Sequence, residues 1–373
     1  MIYLDSAATT FQKPPGVRKA VERAMQTMSS PGRGGYAQAR AAEEMIFRCR
    51  GLAAEMFGAE SEEQVIFTAS ATHALNIAIK SLVGPGKRVI VSGYEHNAVT
   101  RPLHALGAEV MVAGAPLFAP KAMLDAFEQL LAVGADAVIC THASNVFGYV
   151  LPIEGIAALC RRAAIPLIVD AAQSAGMLPL DLGSLGAAFC AMPGHKGLYG
   201  PQGTGLLLCN HAVKPLLEGG TGSESLQQEM PQFLPDRLEA GTLNVPGIAG
   251  LEAGMRFVKK TGQQRILQHE QALAHYAGEK LKKMHGITCY AAQDPALQMG
   301  VLSFTVDGLE SERVAQELAG QGIAVRAGYH CAPFAHKTAE TLDSGTVRLS
   351  FSAFNRKEEI DMFVRTLLRI LWA

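Results

Sequence analysis

The sequence predicts a doubly wound α/β domain with a mostly parallel sheet, joined to a smaller α+β domain. Short continuous apolar runs recur through residues 64–209, with helical stretches between most of them. Polar side chains cluster immediately after those runs. From Gly219 to Pro246 the chain turns polar and rich in Gly, Pro, Gln and Glu, and the remainder of the chain mixes strands and helices.

The apolar runs lie at residues 64–68, 88–92, 137–141, 166–170, 187–191 and 205–209. Runs this short and this apolar are those of parallel strands buried on both faces. Helices are expected over 72–82, 121–133 and 153–164, and that alternation makes a doubly wound sheet. The polar stretch 219–246 is too long for a standard connection, and such loops are often functional. A long helix is expected over 247–283, interrupted near Gly262. Strands at 301–306, 325–326 and 347–351 and a helix over 310–321 make up the smaller domain. The expected division is 15–258 for the large domain, and 1–14 with 259–373 for the small one. No internal repeat is present.

Apolar residues make up 49% and charged residues 18% of 373, enough for a large core. The net charge of −1 advertises neither a nucleic-acid nor a membrane-surface partner. No run of eighteen apolar residues predicts a membrane span, and the first residues lack the pattern of a signal peptide. Seven cysteines without a C-x-x-C pair read as free thiols of a cytoplasmic protein. Six sit as small hydrophobes; Cys331 lies in a loop of Gly, Tyr, His and Pro.

Ligands of open α/β sheets bind beyond the carboxyl ends of the strands. After the first run comes Ala69-Ser70-Ala71-Thr72-His73, opening a helix. Free N–H groups there suit a phosphate, and ordinary capping by Ser70 or Thr72 is the alternative. The next ends carry Glu95-His96-Asn97, His142-Ala143-Ser144-Asn145, Asp170-Ala171-Ala172-Gln173 and Pro193-Gly194-His195-Lys196. Five strand ends thus present His, Asn, Asp, Gln and Lys toward one edge. Pyridoxal phosphate (PLP) chemistry wants this set. A lysine amine holds the cofactor, an aspartate pairs with the pyridinium nitrogen, and an aromatic ring stacks on its face. The run Gly200–Gly205 resembles a nucleotide loop but precedes a strand, not a helix, and reads as the turn out of the lysine loop.

Taken together, the motifs resemble the class V aminotransferases, in the branch of cysteine desulfurases and selenocysteine lyases. The resemblance runs from Tyr3-Leu4-Asp5-Ser6-Ala7-Ala8-Thr9-Thr10 to Asn355. It is most specific at Asp170-Ala171-Ala172-Gln173, Gly194-His195-Lys196, Glu239-Ala240-Gly241-Thr242 and Arg326-Ala327-Gly328-Tyr329-His330-Cys331-Ala332. It implies a PLP fold-type-I-like large domain. By resemblance, Lys196 is the Schiff-base lysine, Asp170 the pyridinium partner and His96 the stacking ring. Gln173 contacts the phenolate oxygen, and Asn145 lies near that oxygen and the substrate. Ala71, Thr72 and His195 serve the phosphate. Thr242 reaches the phosphate of a partner subunit, which implies a homodimer. Arg348 clamps the substrate carboxylate, as a bidentate guanidinium can, and Arg326 is a second arginine near the cysteine loop.

Cys331 matches the nucleophilic cysteine of the family, and His330 with the nearby arginines favours its thiolate. The resemblance implies conversion of L-cysteine to L-alanine, with sulfur held as a persulfide on Cys331 and passed to an acceptor protein. L-selenocysteine is the alternative substrate. A reaction that does not need Cys331, a non-catalytic sulfur-relay protein and a metal site at His330, Cys331 and His336 are the other readings. Seventeen positions separate Cys331 from Arg348, which resembles the branch with a compact cysteine loop. Two departures stand out. Pro193 occupies a position where the family usually has a hydroxyl. In Arg33-Gly34-Gly35-Tyr36, Tyr36 stands where the compact-loop branch often has histidine.

Overall fold

The computed structural model describes residues 1–32 and 34–371. Arg33 lies outside the described residues. The chain opens with β1 (Ile2–Tyr3), α1 (Pro15–Thr27) and α2 (Ala37–Phe57). Strands and helices then alternate: β2 (Val65–Thr68), α3 (Ala71–Leu82), β3 (Arg88–Ser92), α4 (Asn97–Ala105), β4 (Glu109–Ala113), α5 (Pro120–Val133), β5 (Ala137–Thr141), α6 (Ile153–Ala163) and β6 (Leu167–Asp170). The short α7 (Leu182–Leu185) precedes β7 (Phe189–Pro193) and β8 (Gly205–Cys209). The C-terminal part holds α8 (Val245–Thr261), α9 (Gln263–Leu281), β9 (Ile287–Tyr290), β10 (Val301–Val306), α10 (Ser311–Gly320), β11 (Ile323–Ala324), β12 (Arg326–Gly328), α11 (Pro333–Thr338), β13 (Thr346–Ser350) and α12 (Lys357–Leu371).

The main sheet has seven strands in the order β2-β8-β7-β6-β5-β3-β4 and is mostly parallel, as expected. Its strands alternate between two cores. Ile90, Val138, Val169 and Leu206 face one, while Val89, Ile139, Ile168 and Leu207 face the other. The run at 205–209 departs from the expectation, because β8 is antiparallel to both β2 and β7. Only residues 194–204 join β7 to β8, and no helix lies among them. A parallel return needs a longer crossover.

Among the elements not read from the sequence are α1, α2, α4, β4, β9 and α12. Pro102 inside α4 reads as a breaker. The edge strand β4 is half exposed and so lacks a continuous apolar run. The expected break near Gly262 is real. That residue has φ of 92° and separates α8 from α9.

A second, antiparallel sheet has the order β12-β13-β10-β9 and packs its apolar face on α9, α10 and α12 through Leu273, Phe304, Leu318 and Phe363. The N-terminal segment is tied to this part, since β1 pairs with β11 through Ile2↔Ile323 and Tyr3↔Ala324. One glycine sets how closely α8 approaches the lysine loop. A Cβ on Gly254 of α8 would lie 2.3 Å from the Leu198 carbonyl oxygen and 2.8 Å from the Gly200 nitrogen. Only a residue without a side chain lets this helix lie against the backbone just after Lys196. Among the described residues, no helix is long and apolar enough to cross a membrane.

Candidate active site

The carboxyl ends of β3, β5, β6 and β7 and the start of α3 enclose one cleft. It is lined by Ser70, Ala71, Thr72, His96, Asn145, Asp170, Gln173, His195 and Lys196, with Pro193 in its wall. The sheet order thus gathers residues scattered from position 70 to 196. Lys196 reaches the cleft from the turn after β7. Burial pushes its amine down to about 8, opposed by Asp170 and reinforced by Arg348 and Arg326. Asp170 is 2% exposed, and its Oδ1 accepts from the Ala172 amide at 2.9 Å. Burial raises its pKa, against that hydrogen bond and the Lys196 charge.

His96 caps α4, its Nδ1 accepting from the Ala98 amide at 3.0 Å. Burial, then Lys196 and the neighbouring arginines, push it down to about 4. It is therefore neutral near pH 7, with its proton on Nε2. His195 is likewise pushed to about 4 and shares a 3.0 Å hydrogen bond with the Thr9 hydroxyl. Ser70 caps α3 by accepting from the His73 amide, so the capping alternative describes that residue. The amides of Ala71 and Thr72 sit in the first turn, where a helix leaves N–H groups without internal partners.

Cys331 follows β12 in an exposed loop. His330 and Cys331 both have positive φ, 50° and 57°, a conformation non-glycine residues rarely adopt. The loop is pinned to the cleft at two points. The Asn97 amide donates to the Cys331 carbonyl at 2.7 Å, and Asn145 Nδ2 donates to the His330 carbonyl at 2.8 Å. The expectation that His330 favours a thiolate by its charge does not hold. Burial, with Arg348 and His336 adding to it, pushes His330 down to about 2, so it carries no charge. Its Nε2 meets Thr346, and its ring stacks on His336. Among the described residues, no three His, Cys, Asp or Glu side chains converge to hold a metal.

A profile of the family described as Aminotransferase class-V matches residues 2–363. The chain belongs to the class V aminotransferases. Among its relatives, a probable cysteine desulfurase of Methanothermobacter thermautotrophicus is 33% identical, covering 99% of this chain and 94% of that one. A cysteine desulfurase of Yersinia pestis is 32% identical over 99% and 93%. The apo structure of a cysteine desulfurase from Thermococcus onnurineus superposes with a TM-score of 0.89 at 28% identity, covering 99% and 94% of the two chains.

In this class V aminotransferase, several expected site residues have other partners. Gln173 Nε2 donates to the Ala7 carbonyl at 3.2 Å. Arg348 is 2% exposed and bonded to Asp5 and to the Asn145 carbonyl. Arg326 is exposed and stands directly across from Arg348 in the β12–β13 pair. Thr242 does not join the cleft. It is exposed and lines a larger cavity of about 660 Å³ beside Arg50 and Glu239. Tyr36 is also exposed, its hydroxyl accepting from Ser29. Pro193, paired with Gly205, brings no hydroxyl to the cleft.

Four contributors went unread in the sequence. Asp5, Thr9 and Lys13 belong to an N-terminal strap beside the cleft, where Thr9 meets the His195 ring, Lys13 Nζ donates to the His195 carbonyl at 3.0 Å and Asp5 accepts from Arg348. Glu95 lies beneath, its Oε1 accepting from Ser92 and from the Thr141 amide at 2.8 Å, joining the ends of β3 and β5. The strap's one sequence signal was the run Tyr3–Thr10 within the family resemblance, which named no roles.

Proposed function

We propose that this chain is a PLP-dependent cysteine desulfurase that converts L-cysteine to L-alanine and takes the sulfur onto Cys331. The observation that carries this reading is one exposed thiol, on a loop pinned by Asn97 and Asn145, beside a cleft that holds a half-buried lysine and a buried aspartate. The names of the relatives agree with it.

The cleft residues fit the cofactor. Lys196 faces the cavity with a lowered pKa, and Asp170 keeps one carboxylate oxygen free to pair with a ring nitrogen. Ala71, Thr72 and His195 would hold the phosphate, His96 would lie on the ring, and Asn145 and Gln173 would flank it. When bound, PLP supplies a sink for the electrons of the substrate's Cα–H bond. Lys196 Nζ serves as the base for the Cα proton. Arg348 and Arg326 hold the substrate carboxylate. Cys331 Sγ, as thiolate, forms the S–S bond while the substrate's Cβ–Sγ bond breaks. Protonation then releases L-alanine, and Cys331 is left as a persulfide for an acceptor.

We further propose a cytoplasmic homodimer, divided into domains at 15–258 and at 1–14 with 259–373, with Thr242 reaching the partner's phosphate site. Its exposure on the long polar excursion supports that.

Loaded enzyme given L-cysteine is expected to form one L-alanine per sulfur recovered as persulfide or sulfide. Amino-acid analysis that finds no alanine sinks the reading. The Lys196 amine adds a pH test. With a pKa of about 8, roughly a tenth of it is neutral, and hence nucleophilic, at pH 7. The rate at which apoprotein captures PLP should rise about tenfold per unit below pH 8 and flatten above it. A rise continuing to pH 10 would mean that the capturing amine is not this buried one.

A further inference from the structure

We propose that Asp5 occupies the place of the substrate's carboxylate, and that L-cysteine binds by exchanging its carboxylate for that of Asp5 on Arg348. This rests on reading Arg348 as the carboxylate clamp of the proposed desulfurase.

The guanidinium is closed in this structure. Arg348 Nη2 donates to Asp5 Oδ1 at 2.7 Å, and Nη1 donates to the Asn145 carbonyl at 2.9 Å. Arg348 Nε is fully buried and has no partner among the described residues. Arg348 does not line the cleft that holds Lys196. The pair is sealed on the arginine side and open on the other, with side-chain exposures of 2% and 18%. The way to the guanidinium therefore leads through the position of Asp5.

Asp5 makes an incomplete substitute. Nε and Nη2 form one fork of an arginine, and Asp5 bonds only Nη2. A free α-carboxylate, not tethered to a main chain, can take both arms in the bidentate geometry that makes such pairs strong. The exchange also relieves a buried, unpaired N–H. It needs only the Asp5 side chain to swing outward. The main chain there is held by a bridge to Ser350 and by the Ala7 amide on Ser350 Oγ at 2.8 Å. Arg326, exposed, stands directly across the strand pair from Arg348.

Asp5→Asn removes the competing charge at nearly constant size. The KM for L-cysteine, and the calorimetric Kd for the product L-alanine, should each fall about tenfold, the effect of one lost charge-assisted competitor. kcat should change little. Binding of cysteamine, which lacks the carboxylate, should not move, and Asp5→Glu should restore the wild-type Kd. A higher or unchanged Kd for L-alanine in Asp5→Asn overturns the exchange, and would leave Asp5 as a plain support for Arg348. If Asp5→Asn is unstable in thermal melts, Asp5→Ser is read by the same titration. Arg348→Gln separates the two layers. If it leaves L-alanine binding intact, the clamp reading itself fails. If it weakens binding while Asp5→Asn does not tighten it, only the exchange fails.

Discussion

Lys196→Ala protein is expected to form no L-alanine from L-cysteine above about 10⁻⁴ of the wild-type rate, because in the proposed mechanism one side chain both anchors the cofactor and moves the Cα proton. Among the described residues, the structure offers no substitute within reach. The other lysine near the cleft, Lys13, is turned to the Thr10 hydroxyl and the His195 carbonyl. His96 and His195, pushed to about 4, are weak bases, and His96 already spends Nδ1 on the Ala98 amide. The variant should still take up PLP reversibly, since Asp170 and the start of α3 are untouched. Borohydride should then leave no label on the protein, whereas wild type should be labelled at Lys196. Wild-type labelling elsewhere, or a variant with a tenth of normal activity, would remove Lys196 from the mechanism.

Cys331→Ala should lower alanine formation from L-cysteine by on the order of 10³, the scale of losing a nucleophile, while leaving cofactor binding and its visible spectrum unchanged. No other thiol can take its place. Cys49, Cys140, Cys160, Cys190 and Cys209 are buried, and burial raises the pKa of each. Cys289 belongs to β9, in the second sheet, and its thiol is pushed up to about 11. L-selenocysteine loses its chalcogen more readily, so its conversion to alanine should survive in the variant. Equal loss on both substrates would give Cys331 a structural part. Undiminished turnover of L-cysteine would end the nucleophile assignment.

The cleft itself was the most legible part of the chain. Asp170 ends a short apolar run, His96, Asn145, Gln173 and Lys196 each come after one, and a parallel sheet must bring the ends of such runs to one edge. The direction of β8 was not legible, because five apolar residues read alike in either direction. Neither were α4 and β4, where a proline and an exposed edge interrupt the pattern.

By itself, the sequence determined which residue types arrive at the cleft, since strand period and loop position are local properties read along the chain. Tertiary structure alone decided what those residues touch. Asp5 and Arg348 stand 343 positions apart and meet at 2.7 Å. His330, which beside a thiol reads as a cation, is neutral because its surroundings bury it. Charge state and hydrogen-bond partner depend on solvent exclusion and on neighbours distant in the chain, and neither quantity has a value until the chain has folded.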